Sequence, residues 1–200
     1  MSDEVDDPVS ELEQCFERGR DSANAALAHY QIWFALRGKG NAIDTHYDVM
    51  NDYRYVDYFH AANSGHYKMM FIEVGCLFDS DDRASSFRVL RGMLEEAGEG
   101  DLAKELRERL VPFTELVKNM KTIRSKLIAH KEHSVDPPEL YKKYGIKPDD
   151  IGSMLNVCVE LLGKVENALF GQSSSSSVVS TDRFHRATFA LLDVLKAGRS

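Results

Sequence analysis

The segment Ile123-Arg124-Ser125-Lys126-Leu127-Ile128-Ala129-His130-Lys131-Glu132-His133 places five residues between an arginine and a histidine, near the expected end of a helix. Arg124 is a permanent cation, and His130 can take or release a proton near neutral pH. A guanidinium holds phosphate through its planar fork, and an imidazole can move a proton at the same phosphodiester. From Lys118 to Lys131 there are five basic residues (Lys118, Lys121, Arg124, Lys126 and Lys131) and no acidic one. The whole chain carries formal charge −7, so this is a local positive feature able to attract phosphate against the net field. Arg124 and His130 are the candidate catalytic pair. Lys121, Ser125, Lys126 and Lys131 are the candidate phosphate-binding groups.

Helix-end electrostatics offer a plainer account of the same residues. Lysine and histidine near a helix C-terminus are favoured by the macrodipole without any chemistry. The spacing also recurs, since Arg54 and His60 are separated by the same gap. Six steps along a straight α-helix turn two residues about 120° apart around the axis, so Arg124 and His130 do not share a face there. The reach of arginine, fraying near His130 or a second subunit would bring both to one phosphate. Lys126 and His130 are four apart and do share a face. Lys126 either holds phosphate beside the imidazole or is simply solvated.

Behind this segment stands an ordinary globular composition. Two hundred residues, 43% hydrophobic and 28% charged, suffice for one domain with a sizeable core. The acidity argues against a general nucleic-acid coating protein and leaves room for one basic site. The acidic start, Met1-Ser2-Asp3-Glu4-Val5-Asp6-Asp7, argues against a secretory signal. The longest apolar run, Met69 to Phe78, is short and interrupted by Glu73 and Gly75, so no membrane span is expected. Cys15, Cys76 and Cys158 are odd in number and far apart, with no C-x-x-C. They read as buried thiols in a reducing cytoplasm, not as disulfides or zinc ligands. No cofactor is expected.

The elements that must position the segment are helices, and alternating strand patterns are nearly absent. The expectation is an all-α, up-and-down bundle with an appended C-terminal helix. Residues 1–9 read as an acidic disordered tail, 10–170 as the helical domain, 171–180 as a Ser-rich linker and 181–200 as a C-terminal amphipathic helix. Ser10-Glu11-Leu12-Glu13 is a capping-box pattern opening a helix, with Leu12, Phe16, Ala23, Leu27, Tyr30 and Phe34 at helical spacing and Gly38-Lys39-Gly40 ending it. A second, aromatic-rich helix is expected from about His46 to Ala62, then a break or kink at Asn63-Ser64-Gly65 and a buried helix from Tyr67 to Phe78. Further helices are expected at about 83–96, from Asp101, and from Phe113 to about Lys131, with Pro112 bending or restarting the chain. Another begins at Lys147-Pro148-Asp149-Asp150, with a core stripe of Ile151, Leu155, Cys158, Leu162, Val165 and Leu169. The last runs from about Thr181 to Lys196 and sets Phe184, Thr188, Leu191, Leu192 and Leu195 on one face.

With these features, the chain resembles the HEPN superfamily (higher eukaryotes and prokaryotes nucleotide-binding). Two blocks are similar to its abortive-infection U-type branch. One is Ile123-Arg124-Ser125-Lys126-Leu127-Ile128-Ala129-His130-Lys131. The other is the Leu77-Phe78-Asp79 turn and the Ser-rich helix start that follows it. Residues 10–170 share the branch's element order. The resemblance implies a metal-independent endoribonuclease, active as a homodimer, with RNA as substrate and an antitoxin or regulatory protein as a possible restraint. It assigns His130 to proton transfer and Arg124 to the phosphate. Ser125 stands where the superfamily commonly has Asn, Asp or His, so the position keeps hydrogen bonding and loses acid–base character. The alternative is a non-catalytic helical dimer that binds RNA, a nucleotide or a protein.

Other constellations have plain structural readings. His130, His133, Glu132 and Asp136 offer helical spacing for a metal, but no cysteine or acidic cluster completes the ligand set. The aromatics from Tyr47 to His60 either stack bases or pack in the core and a dimer interface. Asp79-Ser80-Asp81-Asp82 lacks calcium-loop spacing and reads as a turn and cap. There is no phosphate-cradling glycine loop and no nucleophile-elbow motif.

Overall fold

A computed structural model describes residues 8–38, 40–129, 137–171 and 182–198. Helix α1 spans Pro8–Arg37 and is the axis of the molecule. It starts before the capping-box pattern at Ser10, because proline suits a first helical turn whose N–H groups have no partner. Against α1 lie α4 (Val56–Leu77) and α9 (Pro148–Phe170). Both run antiparallel to it: His29 meets His66 where Leu36 clusters with Phe59, and Phe16 meets Phe170 where Tyr30 meets Gly152. The core stripe expected on α9 is buried from Ile151 to Val165, widened by Met154, Val159 and Leu161. The face is broad because α1 and α6 flank α9 on two sides.

Around this centre the chain adds shorter pieces. Helices α2 (Ala42–Thr45) and α3 (Tyr47–Met50) are single turns, not the start of a long aromatic helix. Tyr47, Tyr53 and Tyr58 are exposed, and only Phe59 of that aromatic set is buried. The expected break at Asn63-Ser64-Gly65 does not occur. The α4 hydrogen-bond ladder runs through all three residues, since an isolated glycine weakens a helix by only ~1 kcal/mol against alanine. Helix α5 (Phe87–Glu96) begins four residues later than expected. Before it, Asp81 ties both the backbone N–H and the guanidinium of Arg83 into a turn. Gly98, at φ +87°, reverses the chain into α6 (Gly100–Leu110), and a 3₁₀ turn over Val111–Phe113 accommodates Pro112. Helix α7 (Thr114–Ile123) follows, then a π-helical segment over Arg124–Ala129. Pro137 opens α8 (Pro137–Tyr144), a helix not expected from the sequence.

Helix α10 (Arg183–Ala197) packs on α1 and α3 around a second small core of Leu36, Ala42, Val49, Met50, Phe59 and Leu192. Its first backbone N–H groups, from Phe184 and His185, donate to the Oε1 of buried Gln31 at 2.8 and 3.4 Å. That supplies from α1 the acceptor a free helix end lacks. His46 and Asp193 join at 3.0 Å, and His185 and Asn41 at 2.8 Å, fixing the register of α10. Among the described residues no strand forms, and no helix is long and apolar enough to cross a membrane.

Candidate functional site

The basic segment begins on α7, whose Val117, Met120 and Ile123 are buried in the main core. That orientation turns Lys118 and Thr122 outward. An open groove of about 560 Å³ runs along this face, lined by Thr114, Val117, Lys118, Lys121, Thr122, Ser125 and Lys126. Lys118 pairs with Glu115 at 3.4 Å, but both side chains are some 70% exposed, and such a surface pair constrains its lysine little. Lys121 donates its ammonium to the Phe78 carbonyl, capping the end of α4 with a cation as helix C-termini favour. Three of the expected phosphate-binding residues, Lys121, Ser125 and Lys126, therefore share one groove. The fourth, Lys131, lies outside the described residues, as does His130.

Arg124 takes a different direction from its neighbours. Its guanidinium packs against Gly75 of α4, so close that a Cβ built on Gly75 would stand 2.0 Å from Nη1. A glycine in the middle of a buried helix is thus explained by the side chain it admits. Cys76 is next to it and is exposed, in contrast to the buried thiols Cys15 and Cys158 and to the expectation for all three. Desolvation pushes the Cys76 thiol up, Glu73 adds to this, and Arg124 opposes it. The net direction disfavours the thiolate, which does not suit a nucleophile.

The straight α-helix assumed for this segment does not hold over Arg124–Ala129. From Arg124 to Ala129 the backbone bonds i to i+5, carrying more residues per turn than an α-helix. Such single π turns are frequent at functional sites, and residue types alone do not distinguish them from α-helix. Arg54, of the second arginine–histidine pair, is clamped by both carboxylate oxygens of Asp52, each at 3.0 Å, in line with a structural role.

The sequence reading missed one titratable cluster entirely. His29 of α1 and His66 of α4 approach Nδ1 to Nδ1 at 2.8 Å, with ring centroids 5.0 Å apart. One nitrogen must carry the shared proton. Burial lowers both imidazoles below their ordinary value, and for His66 the neighbouring His29 lowers it further. No local pattern joins residues 37 positions apart in sequence. Among the described residues no group of three or more His, Cys, Asp or Glu is placed to hold a metal ion. The His130–His133 metal reading falls outside the described residues.

A helical bundle with a basic groove beside an arginine-bearing π turn is the class of molecule the geometry defines. The family model HEPN_AbiU2, described as AbiU2, matches residues 2–187, and the chain belongs to this HEPN family. No curated protein and no solved structure matches it.

Proposed function

We propose that the chain is a metal-independent endoribonuclease of the abortive-infection or toxin type, acting on RNA as a homodimer in the cytoplasm. The observation that carries this reading is the basic groove that starts where Arg124 leaves α7. It puts Lys118, Lys126 and the Ser125 hydroxyl along a path a phosphate backbone can follow. Family membership supports the assignment of the arginine–histidine pair. In the proposed reaction, neutral His130 removes the proton of a 2′-hydroxyl and the freed oxygen attacks the adjacent phosphorus. Arg124 balances the charge that builds on the phosphoryl oxygens. His130 of a second copy returns a proton to the departing 5′-oxygen, leaving a 2′,3′-cyclic phosphate. DNA lacks the attacking hydroxyl and is spared. An antitoxin or regulatory protein restrains the activity.

A second reading is favoured by Ser125, which lines the groove without acid–base capacity. In it, the chain is a non-catalytic dimer that binds RNA, a nucleotide or a protein. Incubation of single-stranded and structured RNA in EDTA with the parent, His130→Ala and Arg124→Ala decides between them. The enzyme reading expects cleavage by the parent and a loss of roughly 10²–10⁴-fold in each variant. RNA bound but left intact by the folded parent establishes the binding module instead.

A further inference from the structure

The groove along α7 does not end at Thr114. Thr114 and Val117 also line a second cavity of about 250 Å³, set between α5, α6 and the 3₁₀ turn. Its floor is apolar and includes Phe78 and Phe87, whose rings stand 5.6 Å apart and tilted by 44°. Arg88, Arg91 and Arg107 contribute to its wall. Arg88 is held by Asp82 and by the Ser80 carbonyl. Arg91 stands 3.9 Å from Glu95. A partly aromatic lining flanked by guanidinium groups, beside a lysine-lined groove, suits a ligand with a flat ring and acceptor atoms at its edge. The volume falls below the roughly 300–1,000 Å³ of pockets for drug-sized ligands, which limits the ligand to one such unit.

We infer that this cavity is a base-binding subsite: it takes one nucleotide of the single strand lying in the α7 groove. The base packs on Phe78, and the guanidinium groups of Arg107 and Arg91 donate to acceptor atoms on its edge. The inference rests on the RNA reading of that groove. Stacking on an aromatic ring tolerates every base, and ranking among bases comes from guanidinium donors that match the acceptors on some base edges and not others. The lysines of the groove act on phosphates and carry no sequence information. The subsite therefore confers base preference on a strand that the groove alone would bind indiscriminately.

The test uses 2′-O-methyl hexanucleotides of A, C, G and U, which cannot be cleaved, together with the four free mononucleotides. Each is titrated into the full chain, Arg107→Ala, Arg91→Gln and Lys118→Ala, with thermal melts confirming that every variant is folded. The parent is expected to rank the four hexamers. Arg107→Ala and Arg91→Gln should lose roughly tenfold on the preferred one and flatten the ranking, whereas Lys118→Ala should weaken all four alike. If both arginine variants bind every hexamer within twofold of the parent while Lys118→Ala weakens them, the subsite is overturned and the groove stands. Absence of hexamer binding by the parent overturns the RNA reading and the subsite with it. Mononucleotides that bind as tightly as hexamers, through Arg107 and without Lys118, identify a free-nucleotide site and overturn the strand assignment.

Discussion

Gly75 decides where Arg124 can go. A methyl group at this position would stand 2.0 Å from Nη1 and 2.9 Å from Cζ, which leaves the guanidinium no room to lie against α4. The backbone itself would tolerate the change, since alanine is favoured over glycine inside a helix by roughly 0.5–1 kcal/mol. Gly75→Ala should thus fold normally and displace Arg124. The exposed thiol of Cys76 reports the displacement, because Arg124 pulls its pKa down. Labelling of Cys76 by a disulfide reagent at pH 8 should slow about two- to threefold in Gly75→Ala and by the same extent in Arg124→Gln. An unchanged rate in both would show that the arginine does not act on the thiol. The sequence reading found Arg124 from its type and neighbours, yet could not find Gly75, which is 49 positions away and chemically silent.

At the scale of elements, the long periodic helices were legible and the junctions were not. The stripes of α1 and α9 follow from one broad apolar face each, a strong signal over more than twenty residues. Asn63-Ser64-Gly65 misled because local propensity is weak beside the burial of Met70, Phe71 and Val74 further along the same helix. The Ser-rich stretch before α10 read as a linker, and no pattern in it foretold that α10 would be capped by a glutamine from α1. Gln31→Leu removes that acceptor and leaves two half-buried donors unmet, at a cost of about 1 kcal/mol. Hydrogen exchange should show faster amides in α10 and unchanged protection in α9. Equal loss in both helices would mean that the cap supports the whole bundle.

Across the whole molecule, the seam between α1 and α4 ties stability to acidity. Unfolded histidine titrates near 6.5, and both His29 and His66 titrate lower when folded. Between those values the unfolded chain binds more protons, so stability rises with pH through that window. The contribution is present above about 6.5 and is lost as pH falls through the lowered values. The melting temperature of the parent should drop between pH 7 and pH 5 by more than that of a His29→Asn, His66→Gln double variant. Parallel curves would show that the pair does not couple folding to protons.

The π turn at Arg124–Ala129 is equivalent to a regular helix that has absorbed one surplus residue. An insertion of this kind is reversible by genetics. Deleting Leu127 would let the segment relax to α geometry and keep the chain that follows in phase. Helix α7 would keep its seat in the core, while one residue fewer would separate Arg124 from His130. A one-codon deletion thereby separates the fold of the bundle from the spacing of the proposed Arg124–His130 pair.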